Sequence, residues 1–219
     1  MRCSSLAVMI RHHDGGVGME QRAAAFWERH ASGYDEASAF VERRWMSRAR
    51  AWVVERAVGE TLEVCIGTGA NLPLYPNSVR LTGLDWSPGM LAEARAKAAE
   101  LGRRADFRQG DAAELPFPDN TFDSVVCTFG LCCVPRYERA IAEMARVLQP
   151  DGRLLLADHV PSTRMPIRLA QRVIESVSGR LVGEHFTRRP AALLPAYGLS
   201  IVDSRRESAG IFEVVHATH

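Results

Sequence analysis

The run Leu62-Glu63-Val64-Cys65-Ile66-Gly67-Thr68-Gly69-Ala70-Asn71-Leu72 constrains the chain more than any other stretch. An apolar segment, Thr61 to Ile66, runs into a glycine-punctuated turn and then into residues able to start a helix. That reads as strand, tight turn, helix. Glycines in such a turn permit positive φ and let the backbone approach a ligand closely. A second apolar stretch, Val79 to Leu84, follows and ends in Asp85, sixteen residues after Gly69. In a doubly wound sheet neighbouring strand ends lie side by side. An acid closing the second strand therefore stands beside the turn, where it can accept bonds from two ribose hydroxyls. Turn and acid together predict an α/β fold with a nucleoside-cofactor site.

The turn reads Gly67-x-Gly69-x-x-Leu72, so the third glycine of the dinucleotide fingerprint is missing, and Glu63 stands inside the strand, four residues before Gly67. In this the sequence resembles the class I S-adenosylmethionine-dependent methyltransferases, whose first motif is an acidic residue followed by alternating glycines. The resemblance implies S-adenosyl-L-methionine as cofactor, with Glu63, Gly67, Thr68, Gly69 and Asn71 around its methionine half. Cys65 occupies the place of the family's first glycine. Cysteine adds little bulk and keeps the wall apolar, so the pocket is expected to survive.

Later segments extend the resemblance over about residues 30 to 217. Ser87-Pro88 opens a helix with a capping serine and a first-turn proline, Leu91, Ala94, Ala98 and Leu101 share its apolar face, and Gly102 closes it. By the resemblance, Trp86 and Met90 pack against adenine. Asp111, after a third strand (Ala105 to Gln109), bonds the adenine amino group beside Ala112. A fourth strand, Ser124 to Thr128, brings Thr128 and Phe129 to the cofactor. A helix bearing Ile141, Met144, Ala145 and Leu148, a strand from Arg153 to Ala157, a helix from Pro166 to about Ser178, and strands over Leu199 to Arg206 and Ile211 to Ala217 complete the pattern. The implied sheet has seven strands in the order 3-2-1-4-5-7-6, with strand 7 antiparallel.

Residues 1–18 read as a disordered lead, and 19–219 as one methyltransferase domain with a helical lid (19–58) and a Rossmann-like core (59–219). Within the lid a helix from Met19 to Ala31 carries Ala23, Phe26, Trp27 and His30, and Gly33 breaks it. A second, Ala37 to Val58, places Val41, Trp45, Ala49, Trp52 and Val53 along one face. Tyr34 between them lines the pocket in similar enzymes. Arg43, Arg44, Arg48 and Arg50 beside Phe40 and Trp45 suit either an anionic membrane surface or a solvated face with snorkelling arginines.

A balanced charge, 27 basic against 26 acidic residues, supplies no field for nucleic acid. No apolar run reaches the roughly 20 residues that cross a bilayer, so the chain reads as cytoplasmic. The five cysteines show no metal-ligand spacing, and reduced thiols are the expectation, with no metal.

Within the family, residues 123–160 resemble two branches. Quinone C-methyltransferases share a Phe-Gly-Leu segment but follow it with Arg-Asn where this chain has Cys132-Cys133. The phosphatidylethanolamine N-methyltransferase and alkyl-thiol methyltransferase group shares a cysteine-containing segment, the Asp158-His159 step and the Asn71-to-Pro76 continuation, and it fits better. The acceptor is then a small or lipid-like molecule with an amine, thiol or hydroxyl. Candidate bases are His159, then His185 and His30, while Tyr34, Phe129 and Phe186 could stabilise a cationic product. The missing basic field and Thr128-Phe129-Gly130-Leu131, which stands where base and amide methylases of this fold carry an Asn/Asp-Pro-Pro-aromatic tetrapeptide, argue against duplex DNA with base flipping. Rival readings are a quinone or natural-product C-methyltransferase, a nicotinamide-dependent oxidoreductase, and a non-catalytic membrane-surface protein.

Overall fold

The structure is a computed structural model that describes residues 25–181 and 183–219. The lead over 1–18, and the start of the first helix with Ala23 on its face, lie outside these residues.

Residues 25–30 are helical and pass through a tight turn, Ala31–Gly33, into α1, Tyr34–Val41. A single wide π turn, Glu42–Met46, joins α1 to α2, Ser47–Val54. The helix thus begins three residues before the expected Ala37 and stops before Val58. The π turn also breaks the expected apolar face, because a wider turn rotates everything beyond it. Ala49, Trp52 and Val53 are buried, whereas Val41 and Trp45 are exposed. The same rotation turns Arg50 inward.

A seven-stranded sheet forms the centre, in the order β3-β2-β1-β4-β5-β7-β6. Its strands are β1 Glu60–Val64, β2 Arg80–Asp85, β3 Ala105–Gln109, β4 Phe122–Thr128, β5 Leu148–His159, β6 Ser200–Glu207 and β7 Phe212–Thr218. The first five pair in parallel, and β7 runs antiparallel to both β5 and β6. Helix α3 Pro88–Glu100 joins β2 to β3, α4 Tyr137–Val147 joins β4 to β5, and α5 Met165–Leu181 follows β5. The helix expected after the glycine turn is only a 3-10 turn, Leu72–Leu74, because Pro73 within it and Pro76 just beyond it stop a longer one.

Period-2 alternation divides the apolar side chains between two cores. Val125, Leu154, Leu156 and Val215 face α4, with Ile141 and Met144. Val126, Leu155, Ala157 and Val214 face the other way, toward Trp52, Val53, Leu72 and Leu91. One expected core position, Leu101, is lost, and another, Leu148, stays in the core with Ile141 and Met144 but in a different element. Leu101 caps the end of α3 and is exposed, and Leu148 opens β5 rather than closing α4. Since β1 and β4 are adjacent and parallel, their carboxyl ends meet at one edge, where the chain leaves in opposite directions and a crevice opens.

Candidate functional site

The glycine turn after β1 forms one wall of that crevice. Cys65 adopts φ +58°, the left-handed conformation that glycine favours, followed by Gly67 at +57° and Gly69 at +76°. A left-handed non-glycine residue costs about 1–2 kcal/mol. Space for its side chain comes from Gly130 after β4, where a Cβ would lie 2.5 Å from the Cys65 Cβ. The expectation that a cysteine fits the place of the family's glycine thus has a steric reason: Gly130 leaves room for it.

Asp85 closes β2 beside this turn. Its Oδ2 accepts from the Gly67 N–H at 2.8 Å and its Oδ1 from the Ser87 N–H at 3.0 Å. Burial pushes the carboxyl above its ordinary range, against the pull of these donors. Each oxygen keeps a lone pair for a further donor. Ser87 Oγ accepts the Met90 N–H and so caps α3, while Glu28 accepts both the Ser87 hydroxyl and the Gly89 N–H.

The cleft is lined by Cys65, Gly67, Thr68, Asp85, Trp86, Met90, Asp111, Ala112, Thr128 and Phe129, with Trp27, Tyr34, Arg50, Cys133, Val134 and Pro135 among its other wall residues. It spans ≈ 1080 Å³ when its open mouth is counted, and it is open to solvent on one side. Asp111 bonds the Ala113 N–H at 2.8 Å and pairs with Arg136. Tyr34 hangs over the cleft from the start of α1, edge-on to Trp27, and burial pushes its phenol up to about 12.

Three of the residues expected at the cofactor stand behind the wall. Gly69 supplies the turn, where a side chain would strike Leu72 at 2.5 Å. Glu63 is fully buried in β1, with burial pushing it up to about 7, and accepts from Asn71 Nδ2 at 2.7 Å and from the Tyr75 hydroxyl at 2.9 Å. Asn71 also donates to Thr128 Oγ1 at 2.9 Å. The Asn-Leu-Pro-x-Tyr-Pro segment is therefore pinned at both polar residues by the strand acid.

Arg50, read from the sequence as part of an outward basic face, on a membrane surface or in solvent, completes this network. It donates to Glu42 at 2.7 Å and to Thr128 Oγ1 at 2.6 Å, lies over the Phe129 ring at 4.9 Å, and is 8% exposed. Its signal in the sequence is its setting, a lone cation within Ala49-Arg50-Ala51-Trp52-Val53-Val54. Asp35, which sequence reasoning does not single out, carries no such signal. It accepts from Thr68 Oγ1 at 2.6 Å and pairs with Lys97, tying α1 to the turn and to α3. Burial would raise its carboxyl, but the Lys97 and Thr68 bonds outweigh that and hold it below the usual range.

None of the candidate histidine bases is on the cleft wall. The His159 ring is boxed by Phe129, Phe186 and Phe212, with centroids at 5.5, 5.1 and 5.1 Å. Burial pulls its imidazole down, but Asp158 and Cys132 prevail and push it up to about 10. Its Nδ1 lies 3.6 Å from Asp158, with no hydrogen-bond partner among the described residues. A ring walled by three aromatic groups and absent from the cleft wall is poorly placed to reach an acceptor there. His185 Nδ1 lies 3.1 Å from Glu175, and His30 stacks on Phe26 at 4.2 Å. The fold does gather donors that linear spacing separates: Cys132, Cys133 and Glu184, and Cys132, Asp158 and His159, each lie within 4.8 Å of one another.

Comparison with known proteins agrees with this geometry. Residues 62–156 match the methyltransferase domain family. The phosphatidylethanolamine N-methyltransferase of Cereibacter sphaeroides is 43% identical over 118 residues, 53% of this chain and 58% of that protein. The demethylmenaquinone methyltransferase of Bacillus cytotoxicus is 32% identical over 161 residues, 68% of this chain and 67% of that one. The fold is shared with an S-adenosylmethionine-dependent methyltransferase of Aquifex aeolicus, at TM-score 0.64 and 18% identity over 87% of this chain and 97% of that structure. The chain belongs to the S-adenosylmethionine-dependent methyltransferases. Its match spans little more than half of the first of these relatives.

Proposed function

We propose that the chain transfers the methyl group of S-adenosylmethionine to an amine, thiol or hydroxyl of a small or amphiphilic acceptor, seated against Tyr34, Phe129 and Cys133. The observation that carries this reading is the wall itself. Away from Arg50, Thr68, Asp85, Ser87, Asp111 and Thr128 it is aromatic and apolar, from Trp27 and Tyr34 to Val134 and Pro135, and among the described residues it holds no histidine. An amine, thiol or hydroxyl attacks the methyl carbon in line with its lone pair, and the C–S bond breaks as the new bond forms. The acceptor's proton leaves to water through the open mouth of the cleft. The names of the two relatives, one acting on phosphatidylethanolamine and one on demethylmenaquinone, support an acceptor with a greasy body.

The wall residues suit the cofactor's parts. Asp85 would accept the ribose hydroxyls, Trp86, Met90 and Ala112 would flank adenine, and Asp111 would accept from its amino group. Arg50 would pair with the methionine carboxylate, and Thr68 and Thr128 edge that end. When bound, the cofactor supplies an electrophilic methyl carbon for in-line attack. The chain's contribution is alignment: a rigid turn, a capped helix and a buried polar network fix the donor, while Tyr34 and Phe129 confine the acceptor. Such orientation is worth up to about 7–11 kcal/mol. Phe129 and Tyr34 would also face positive charge arriving on an amine or thioether product, at about 0.5–2 kcal/mol each.

Methyl-labelled cofactor incubated with phosphatidylethanolamine micelles, alkyl thiols, phenols and quinols tests the reading. Label on nitrogen, sulfur or oxygen is expected. Label confined to quinol carbon, or to none of the panel, would overturn it.

A further inference from the structure

Helix α5 is turned inside out. The side facing the protein is polar: Gln171 is buried, accepts the Ser162 N–H at 2.8 Å and donates to the Val160 carbonyl at 2.9 Å. Glu175 meets His185, and Ser178 donates to the Glu184 carbonyl at 3.1 Å. The side facing away carries Met165, Leu169, Val173, Ile174 and Val177, each between 55% and 67% exposed. These five fall on one stripe of a 3.6-residue helix, and Arg168 and Arg172 fall along one border of it. A soluble helix puts its apolar stripe inward, so this one is built to be covered.

A second patch continues the first. Phe40 and Trp45 are exposed, with rings edge-on at 5.8 Å, and Arg43 and Arg44 lie between them in sequence. Arg44, Trp45 and Arg48 share a groove with Arg205, Arg206, Glu207 and Ser208. In it Arg205 pairs with Glu207 and Arg206 with Glu213, leaving Arg44 and Arg48 as its free cations among the described residues. Arg206 donates to the Pro161 carbonyl, and the Ser162 hydroxyl to the Ala209 carbonyl, so the groove runs on to the segment that enters α5. Among the described residues, none of Arg43, Arg44, Arg48, Arg164, Arg168 and Arg172 pairs with a carboxylate. At its far end α5 meets Glu184, whose carboxylate lies within 4.8 Å of the thiol of Cys133 on the cleft wall.

We propose that this surface, from the π turn across the β6–β7 connection to the outer face of α5, docks on an anionic lipid bilayer, with the cleft beside it. Apolar side chains bordered by unpaired arginines are complementary to acyl chains beneath anionic headgroups. A second copy of the chain fits worse, since a two-fold contact would bring the same arginines against one another. The docking does not depend on the acceptor atom proposed above, because vesicle binding is read without methyl transfer.

The test is co-sedimentation of the full chain with vesicles of phosphatidylcholine alone and of phosphatidylcholine with about a third phosphatidylglycerol, with and without added salt. Binding to the anionic vesicles, weakened by salt and slight on the neutral ones, is expected. Leu169→Glu with Val173→Glu, and separately Arg168→Gln with Arg172→Gln, are each expected to lower it by about tenfold or more. Both doubles should keep the thermal stabilisation by S-adenosylhomocysteine, which shows that the cleft is folded. Absence of vesicle binding by the unaltered chain, binding by both doubles as strong as that of the unaltered chain, or a dimer that the Glu double disperses would overturn the proposal.

Discussion

Replacing Asp85 with alanine is expected to weaken S-adenosylmethionine binding by about 3–6 kcal/mol, since two charge-assisted hydrogen bonds to the ribose are worth about 1.5–3 kcal/mol each. That is roughly a hundredfold or more in Kd, which calorimetry resolves directly. The loss has a second source. Asp85 also holds the Gly67 and Ser87 N–H groups, so the variant loosens the glycine turn and the start of α3 together. Asp85→Asn separates the two. It keeps one acceptor for a backbone N–H but cannot receive both hydroxyls as a carboxylate does, and should still lose more than tenfold. An unchanged Kd in both variants would remove the ribose assignment.

The second large effect is expected at Arg50. Removing one partner of a buried ion pair costs about 3–5 kcal/mol, and Arg50→Met should fall toward the lower end because the Glu42 side chain keeps 25% of its exposure. Glu42→Gln in the same chain should recover part of the loss, which a double-mutant cycle in urea measures. Cofactor binding gives the sharper test. Methylthioadenosine lacks the amino-acid carboxylate, so Arg50→Met should weaken S-adenosylmethionine by tenfold or more and leave methylthioadenosine nearly unchanged. Asp85→Ala should weaken both. Equal losses for the two ligands in Arg50→Met would show that the arginine only supports the fold.

The difference between these residues also explains what can be read from the sequence. Asp85, Gly67 and Ser87 act through neighbours set by local pattern: a strand end, a turn, a helix cap. The strand order is legible in the same way, from the alternation of strands and helices along the chain together with the family resemblance. Arg50 acts across 78 positions, on Thr128, and its direction depends on a π turn that no period-3.6 reading contains. Asp35 reaches Thr68 and Lys97 in the same long-range way. Glu63 stands out in the sequence as an acid inside an apolar strand, but only the fold shows that it holds Asn71 and Tyr75 behind the wall rather than lining it. His159 is a case of direction. Its place at the end of β5 is readable from the pattern, but not its enclosure by three phenylalanines that come from segments far apart in the chain.

The central claim is that one crevice, at the carboxyl ends of β1, β2 and β4, holds the methyl donor by its sugar. Crystals of the chain soaked with S-adenosylhomocysteine test this most directly. The account predicts ligand density in that crevice, with both ribose hydroxyls on the Asp85 carboxylate, adenine beside Trp86 and Met90, and the amino-acid carboxylate on Arg50. Density at another site, or a ribose turned away from Asp85, would contradict it.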